Sequence, residues 1–207
     1  MVTIREIKRI RSMCCMILDS GEQYWLRQDD FAGTGFLEGS TYDTEVFLQT
    51  VRICQYPHAL NHAVSMLARR PCSKKEIADR LIRIRYSEEV AGLVVFKLEK
   101  EKLLNDEEFC DQWIHSRLTR HLGLSAIKRE LKLKGIPEEM IYAAFNRLDP
   151  DEEQDNALIL ARKAWKRVGY GEDVRLKRQK VIASLVRKGY DWDTARSACE
   201  TAEQEAE

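Results

Sequence analysis

Apolar residues recur at helical spacing along most of the chain, and at strand spacing only near its start. Three ten-residue stretches carry the same arrangement: IADRLIRIRY (77–86), IKRELKLKGI (127–136) and VIASLVRKGY (181–190). In each, an aliphatic residue is followed four positions on by Leu, and five further on by Ile or Tyr. The triplets are Ile77/Leu81/Tyr86, Ile127/Leu131/Ile136 and Val181/Leu185/Tyr190. The first two members share one face of a helix, and the third lies beyond its end. Gly135 and Gly189 precede that third member, at a place suited to the left-handed residue that closes a helix. Arg85 stands there in the first stretch.

Each stretch is the middle helix of a three-helix block, and the blocks span 57–104, 105–149 and 150–203. In the first block, Leu60, Ala63 and Leu67 share the face of a helix stopped by Pro71. Ser73 and Glu76 form a capping box for a second helix through Ile77, Leu81 and Ile84. Ser87 caps a third, with Val90, Val94 and Leu98 inward. In the second block, Asn105 or Asp106 caps a helix bearing Phe109, Trp113 and Leu118, which Gly123 breaks. Pro137 opens the helix of Met140, Ile141, Ala144 and Leu148. The third block follows Asp149-Pro150, with Ala157, Ala161, Ala164, Trp165 and Val168 inward and a break at Gly169 and Gly171. Asp191 caps its last helix, which buries Ala195, Ala198 and Ala202, and the EQEAE tail is expected to fray. A block of this size buries too little area to stand alone, whereas stacked blocks share a core. The predicted fold is therefore mainly α: tandem three-helix repeats forming an elongated, curved array.

Residues 1–56 differ. MCCMIL (13–18) and QYWL (23–26), joined by a D-S-G-E turn, predict a β-hairpin with VTIREI as a third strand. DFAGTGFLEGS (30–40) reads as a loop. Helical spacing begins at Asp43 with Phe47, Val51 and Cys54, and Pro57 is expected to close the unit.

Composition narrows the function. Charged residues make up 33% of the 207-residue chain, above the ~25% of ordinary soluble domains, as suits thin helices with much solvated surface. Net charge is zero overall, yet 57–104 carries 10 basic and 6 acidic residues. No run of about 18 apolar residues exists to span a membrane. The first twenty residues lack a long apolar core and a small-residue cleavage site, so no signal peptide is expected. The six cysteines, at 14, 15, 54, 72, 110 and 199, form no C-x-x-C pair. They read as small buried hydrophobes in a cytoplasmic protein.

No catalytic arrangement emerges, and neither an enzyme activity nor a cofactor or metal is expected. The glycines of GTGFLEG have the wrong spacing for a phosphate loop. His58 and His62 lie at i, i+4 but have no third ligand near them in sequence, and read as surface residues. Glu88/Glu89, Glu107/Glu108, Glu138/Glu139 and Glu152/Glu153 sit in first helical turns, where they complement the helix dipole. What remains is a set of basic clusters: Arg69, Arg70, Lys74 and Lys75 around Pro71; Lys128, Arg129 and Lys132; Arg162, Lys163, Lys166 and Arg167; and Arg175, Lys177, Arg178 and Lys180. Each alone is a solvated face. Their recurrence near equivalent edges of the blocks raises the alternative of a continuous strip that meets phosphates or an acidic groove.

LLNDEEFCDQWIHSRLTRHLGLSAIKRELKLKGIPEEMI (103–141) resembles the RecX family of bacterial regulatory proteins. The matching positions are Leu104, Asp106, Phe109, Trp113, Ser116, Arg117, Gly123, Ile127, Glu130, Leu131, Lys134, Gly135 and Ile136. Residues 73–81 and RKGYDWD (187–193) resemble the family's first and third repeats. Asn105 replaces an acid of the pattern, His121 stands at a frequent Gly, and the first repeat lacks Lys-Gly. The resemblance implies a monomeric regulator in DNA repair, homologous recombination and the SOS response. Such a protein lies in the groove of the RecA filament on single-stranded DNA and limits filament growth, ATP hydrolysis and strand exchange. Arg69, Arg70, Lys74, Lys75, Lys128, Arg129, Lys132, Arg162, Lys163 and Lys166 are the expected contacts. The second possibility is direct binding to single- or double-stranded DNA, with an effect through competition for it.

Overall fold

In a computed structural model, residues 1–149, 151–167 and 173–206 are described, and the chain forms two compact units, Met1–Asn105 and Asp106–Glu207. Pro150, Gly169 and Gly171, expected above at breaks, and Val168, expected to face inward, lie outside the described residues.

The first unit opens with an antiparallel sheet of β1 (Val2–Ile10), β2 (Met13–Leu18), β3 (Gln23–Arg27) and β4 (Thr41–Tyr42), in the order β3-β2-β1-β4. The unbroken apolar run of β2 fits its central place. Cys14, Cys15, Met16, Ile17 and Leu18 are all buried, and alternate members (Cys14, Met16, Leu18) join the core beneath the sheet. The stretch expected as a loop is partly helical, because α1 (Gln28–Ala32) covers its first residues and buries Phe31.

α2 (Thr44–Leu67) starts where expected, with the Asp43 carboxylate accepting from the backbone N–H groups of Glu45 and Val46. It does not stop at Pro57, contrary to the sequence reading, so the position expected to close the first unit lies inside a helix. Pro57 and Ile53, the residue whose carbonyl loses its partner, both lie on the exposed face, where water can replace the missing N–H. The continuity has a purpose in packing. The first half of α2 buries Phe47 and Val51 in the sheet's core, and the second half buries Ala59 and Ala63 against α3 (Lys74–Arg83) and α4 (Glu88–Lys100). Between the halves, Gln55 is 2% exposed. Its amide donates to the Trp25 carbonyl at 2.9 Å and accepts from the Ser87 N–H at 2.9 Å. One side chain thus ties β3 to the start of α4. Ser73 and Glu76 form the expected capping box of α3, and Ser87 caps α4 through Val90 N–H.

The second unit contains α5 (Asp106–Leu118), α6 (Leu124–Leu133), α7 (Glu138–Phe145), α8 (Glu152–Arg167), α9 (Val174–Arg187) and α10 (Trp192–Gln204). The first three helices enclose Phe109, Ile114, Leu118, Ile127, Leu131, Ile136, Ile141 and Ala144. α8 and α10 meet along Ala157, Ala161, Ala195, Ala198 and Ala202, small residues that permit close approach, and α9 adds Val181 and Leu185 to the same core. Pro137 is the N-cap of α7 rather than a member of its first turn. The tail is more ordered than expected: α10 runs to Gln204, Glu203 is 7% exposed and paired with Arg178, and Glu205 pairs with Arg162.

The repeated triplet has one structural meaning. All its aliphatic and Leu members are buried, and the third member closes the helix by donating its N–H to the Leu carbonyl: Tyr86 to Leu81 (3.1 Å), Ile136 to Leu131 (3.1 Å) and Tyr190 to Leu185 (3.3 Å). This six-to-one bond requires a left-handed residue between them. Gly135 (φ 81°), Gly189 (φ 95°) and Arg85 (φ 79°) occupy that place. His121 is likewise left-handed (φ 53°), with the Leu122 N–H donated to the Arg117 carbonyl.

Candidate functional site

The ten candidate cations are exposed or half-buried, but most of them are already engaged. Arg70 makes a forked contact with Glu76 (3.1 and 3.2 Å), the same glutamate that closes the α3 capping box. Lys74 pairs with Glu99, and Lys75 with Asp79 at 2.7 Å. Lys128 and Lys132 converge on Glu138, at 2.5 and 2.6 Å. Together they hold its carboxyl down to about 2, from an ordinary 4.5. Arg162 grips Glu205 through two N–H groups. Among the described residues, Arg69, Arg129, Lys163 and Lys166 have no such acidic partner. The basic faces seen in the sequence are thus partly neutralised by acids four to 43 positions away. That pattern was hidden from a reading that assigned Glu138 only to the helix dipole.

Within the second unit, Lys128, Arg129 and Lys132 border a shallow depression of about 340 Å3 on α6. Arg162, Lys163 and Lys166 stand along α8. In the first unit, Arg69 lines a separate cavity between the sheet and α2.

The structure also explains motif residues that the sequence placed simply in a core. Trp113 is half-buried, with its indole N–H donated to Glu130 at 2.9 Å. The Arg117 guanidinium lies 3.8 Å from its ring centroid and the Lys134 ammonium 3.9 Å, while Arg117 also donates to Glu130 at 2.6 Å. Trp113, Arg117, Glu130 and Lys134 therefore form one network, in which each cation is held by an aromatic face and Arg117 also by a carboxylate. Trp165 is buried as expected, with Lys177 over it at 4.5 Å.

The cysteines are free, and all but the half-buried Cys54 are buried; burial pushes Cys110 and Cys199 up to about 11, which keeps them as thiols at neutral pH. His58 is held by Asp30 (3.0 Å) and His62 by the Tyr86 hydroxyl (2.8 Å). Among the described residues, no group of three or more His, Cys, Asp or Glu is placed to hold a metal ion, and no helix is long and apolar enough to cross a membrane.

Fold and surface together define a helical-repeat protein that carries exposed cations and cation–aromatic pairs. Models of the first, second and third three-helix domains of RecX match residues 59–98, 105–144 and 151–199. Regulatory protein RecX of Streptomyces lividans is 34% identical over 145 residues, covering 69% of this chain and 76% of its own. That of Clostridium perfringens strain 13 is 29% identical over 164 residues, covering 79% and 77%. Two crystal structures share the fold. One of a regulatory protein RecX has a TM-score of 0.65 at 21% identity, over 99% of this chain and 100% of its own. RecX from Lactobacillus salivarius has a TM-score of 0.66 at 22% identity, over 72% and 97%. The chain belongs to the RecX family of regulatory proteins.

Proposed function

We propose that this chain docks in the groove of a RecA filament on single-stranded DNA and restrains its growth, ATP hydrolysis and strand exchange. The observation that carries this reading is the tandem of three RecX domains, each built on the same triplet and closed by the same backbone hydrogen bond. A repeated unit presents equivalent surfaces at intervals, and so suits a partner that is itself a repeating polymer. Several weak contacts then act together through effective concentration. The protein acts by binding, without a reaction of its own.

The contacts fall to the ten cations, and their present pairing ranks them. Arg69, Arg129, Lys163 and Lys166 are available at once. The others must exchange an intramolecular acid for an acid or phosphate of the partner. Exposed ion pairs are worth only about 0–1 kcal/mol, so that exchange is cheap.

The test is a recombinase ATPase assay with order of addition. The chain added to pre-assembled filaments should inhibit at amounts well below those that saturate the DNA. Combining Arg129→Glu, Lys163→Glu and Lys166→Glu should remove most inhibition while circular dichroism stays unchanged. Full inhibition by the triple variant would refute the assignment of contacts. Inhibition only when the chain meets the DNA before the recombinase would favour competition for DNA.

A further inference from the structure

A further concentration of unneutralised charge in the first unit draws arginines from the sheet and from the first repeat, Arg69 among them. It surrounds a cavity of about 590 Å3 between the β1–β2 turn, the end of β3, α2 and the end of α3. Arg11, Arg27, Arg69, Arg80 and Arg85 all line it, and Asp30 is the one carboxylate in the lining. Asp30 is taken by His58, and none of the five arginines has an acidic partner among the described residues. The other distinctive walls are aromatic. Trp25 and Tyr86 are both half-buried, the Tyr86 hydroxyl is fixed by His62, and the Arg85 guanidinium lies 5.5 Å from the Trp25 ring.

Two of these arginines hold backbone conformations that disfavour them. Arg85 (φ 79°) stands where the other two repeats have Gly135 and Gly189, and Arg11 (φ 54°) sits in the two-residue turn between Ile10 and Met13. A side chain in the left-handed region is strained relative to glycine. Folding alone would favour Gly at Arg85, as the sister repeats demonstrate. That both strained arginines line the same cavity points to a use for their guanidinium groups.

We propose that this cavity binds a nucleoside polyphosphate, with the phosphates among the arginines and the base against Trp25 and Tyr86. The volume lies within the roughly 300–1,000 Å3 of small-molecule sites. Guanidinium forks match phosphate oxygens, and aromatic faces match a base. Charge density separates this ligand from a strand of nucleic acid: five arginines in one nucleotide-sized space call for several phosphate charges, whereas a strand brings one per nucleotide. The inference concerns a different ligand from the filament reading, and Arg69 is the one cation named in both.

Calorimetric titration of the full chain at one ionic strength, without divalent cations, tests it with four probes: ATP, tripolyphosphate, adenosine and oligothymidine. ATP should bind at least about tenfold more tightly than adenosine or oligothymidine, with tripolyphosphate intermediate. Arg85→Gly should weaken ATP by about tenfold or more without lowering the thermal midpoint, since glycine suits that backbone. Arg80→Ala, in an ordinary helical position, should weaken it comparably. Unchanged ATP affinity in both variants, tighter binding of oligothymidine than of ATP, or no ATP binding up to about 1 mM would each overturn the proposal.

Discussion

Gly123 and Gly189 meet backbone to backbone where the second repeat joins the third. The Gly123 N–H donates to the Lys188 carbonyl at 3.0 Å, and the Ser125 N–H to the Gly189 carbonyl at 3.2 Å. The N-cap N–H of α6 and that of Ser125 in its first turn, which have no partner within their own helix, are thus satisfied by the carbonyls that follow the end of α9. A Cβ on Gly123 would lie 2.3 Å from the Gly189 carbonyl carbon and 2.4 Å from its oxygen. Gly123 has an ordinary φ of −74°, so space alone demands glycine there. Gly123→Ala should therefore destabilise the second unit by about 3 kcal/mol, because backbone cannot move aside as a flexible side chain can. Urea denaturation measures this, and a loss below about 0.5 kcal/mol would mean that the joint opens freely.

Gln55 makes a second joint, inside the first unit. Gln55→Leu keeps most of the volume but removes the partners of the Trp25 carbonyl and the Ser87 N–H. The expected loss is about 2–3 kcal/mol, since buried polar groups left alone lose their hydration without recompense. Gln55→Glu should be nearly as damaging at neutral pH, because a carboxylate can accept from Ser87 but cannot donate to Trp25. Thermal melts of the two variants beside the parent chain decide the matter.

Much of the helical body was legible from spacing, because each repeat buries the first two members of its triplet and ends its middle helix by the same bond. The caps at Ser73, Ser87 and Asp191 were legible for a similar reason: each acts on backbone three residues away. Pro57 misled because a local rule against proline in helices was outweighed by the two cores that α2 serves at once. The pairing of Gly123 with Gly189 joins residues distant in sequence, so the first looked like a helix breaker and the second like a cap. The basic clusters were visible, but not their neutralisation, since Arg162–Glu205 and Lys74–Glu99 bridge separate helices. The arginine cavity left one trace in the sequence: Arg85, where the sister stretches have glycine.

Acid should act through Glu138. Its carboxyl sits at about 2, held down by hydrogen bonds first from Lys128 and then from Lys132. A group depressed in the folded state contributes stability above its unfolded value, and that contribution disappears as pH falls towards the folded value. The difference in stability between the parent chain and Glu138→Gln should thus be constant above about pH 5 and shrink steadily between 4.5 and 2. Because the carboxylate is largely exposed, the difference should be small and should shrink further with added salt. Denaturation series at several pH values, with and without salt, test both statements.

Glu153 should behave in the opposite sense. Its carboxylate accepts from the Leu124 N–H at 2.9 Å, at the same joint as Gly123. Burial raises its pKa, the Leu124 hydrogen bond opposes that rise, and the nearby Asp191 charge adds to it. The folded chain therefore holds this proton more tightly than the unfolded chain, and stability falls as pH rises through the raised value. Glu153→Gln keeps an oxygen for Leu124 and removes the desolvated charge. It should equal or exceed the parent chain in stability at pH 7, with an advantage that grows as pH climbs from below 4.5. Glu153→Ala removes the acceptor as well and should cost about 1 kcal/mol at the start of α6. If Gln proves as harmful as Ala at neutral pH, the charge itself, rather than the hydrogen bond, holds the two repeats together.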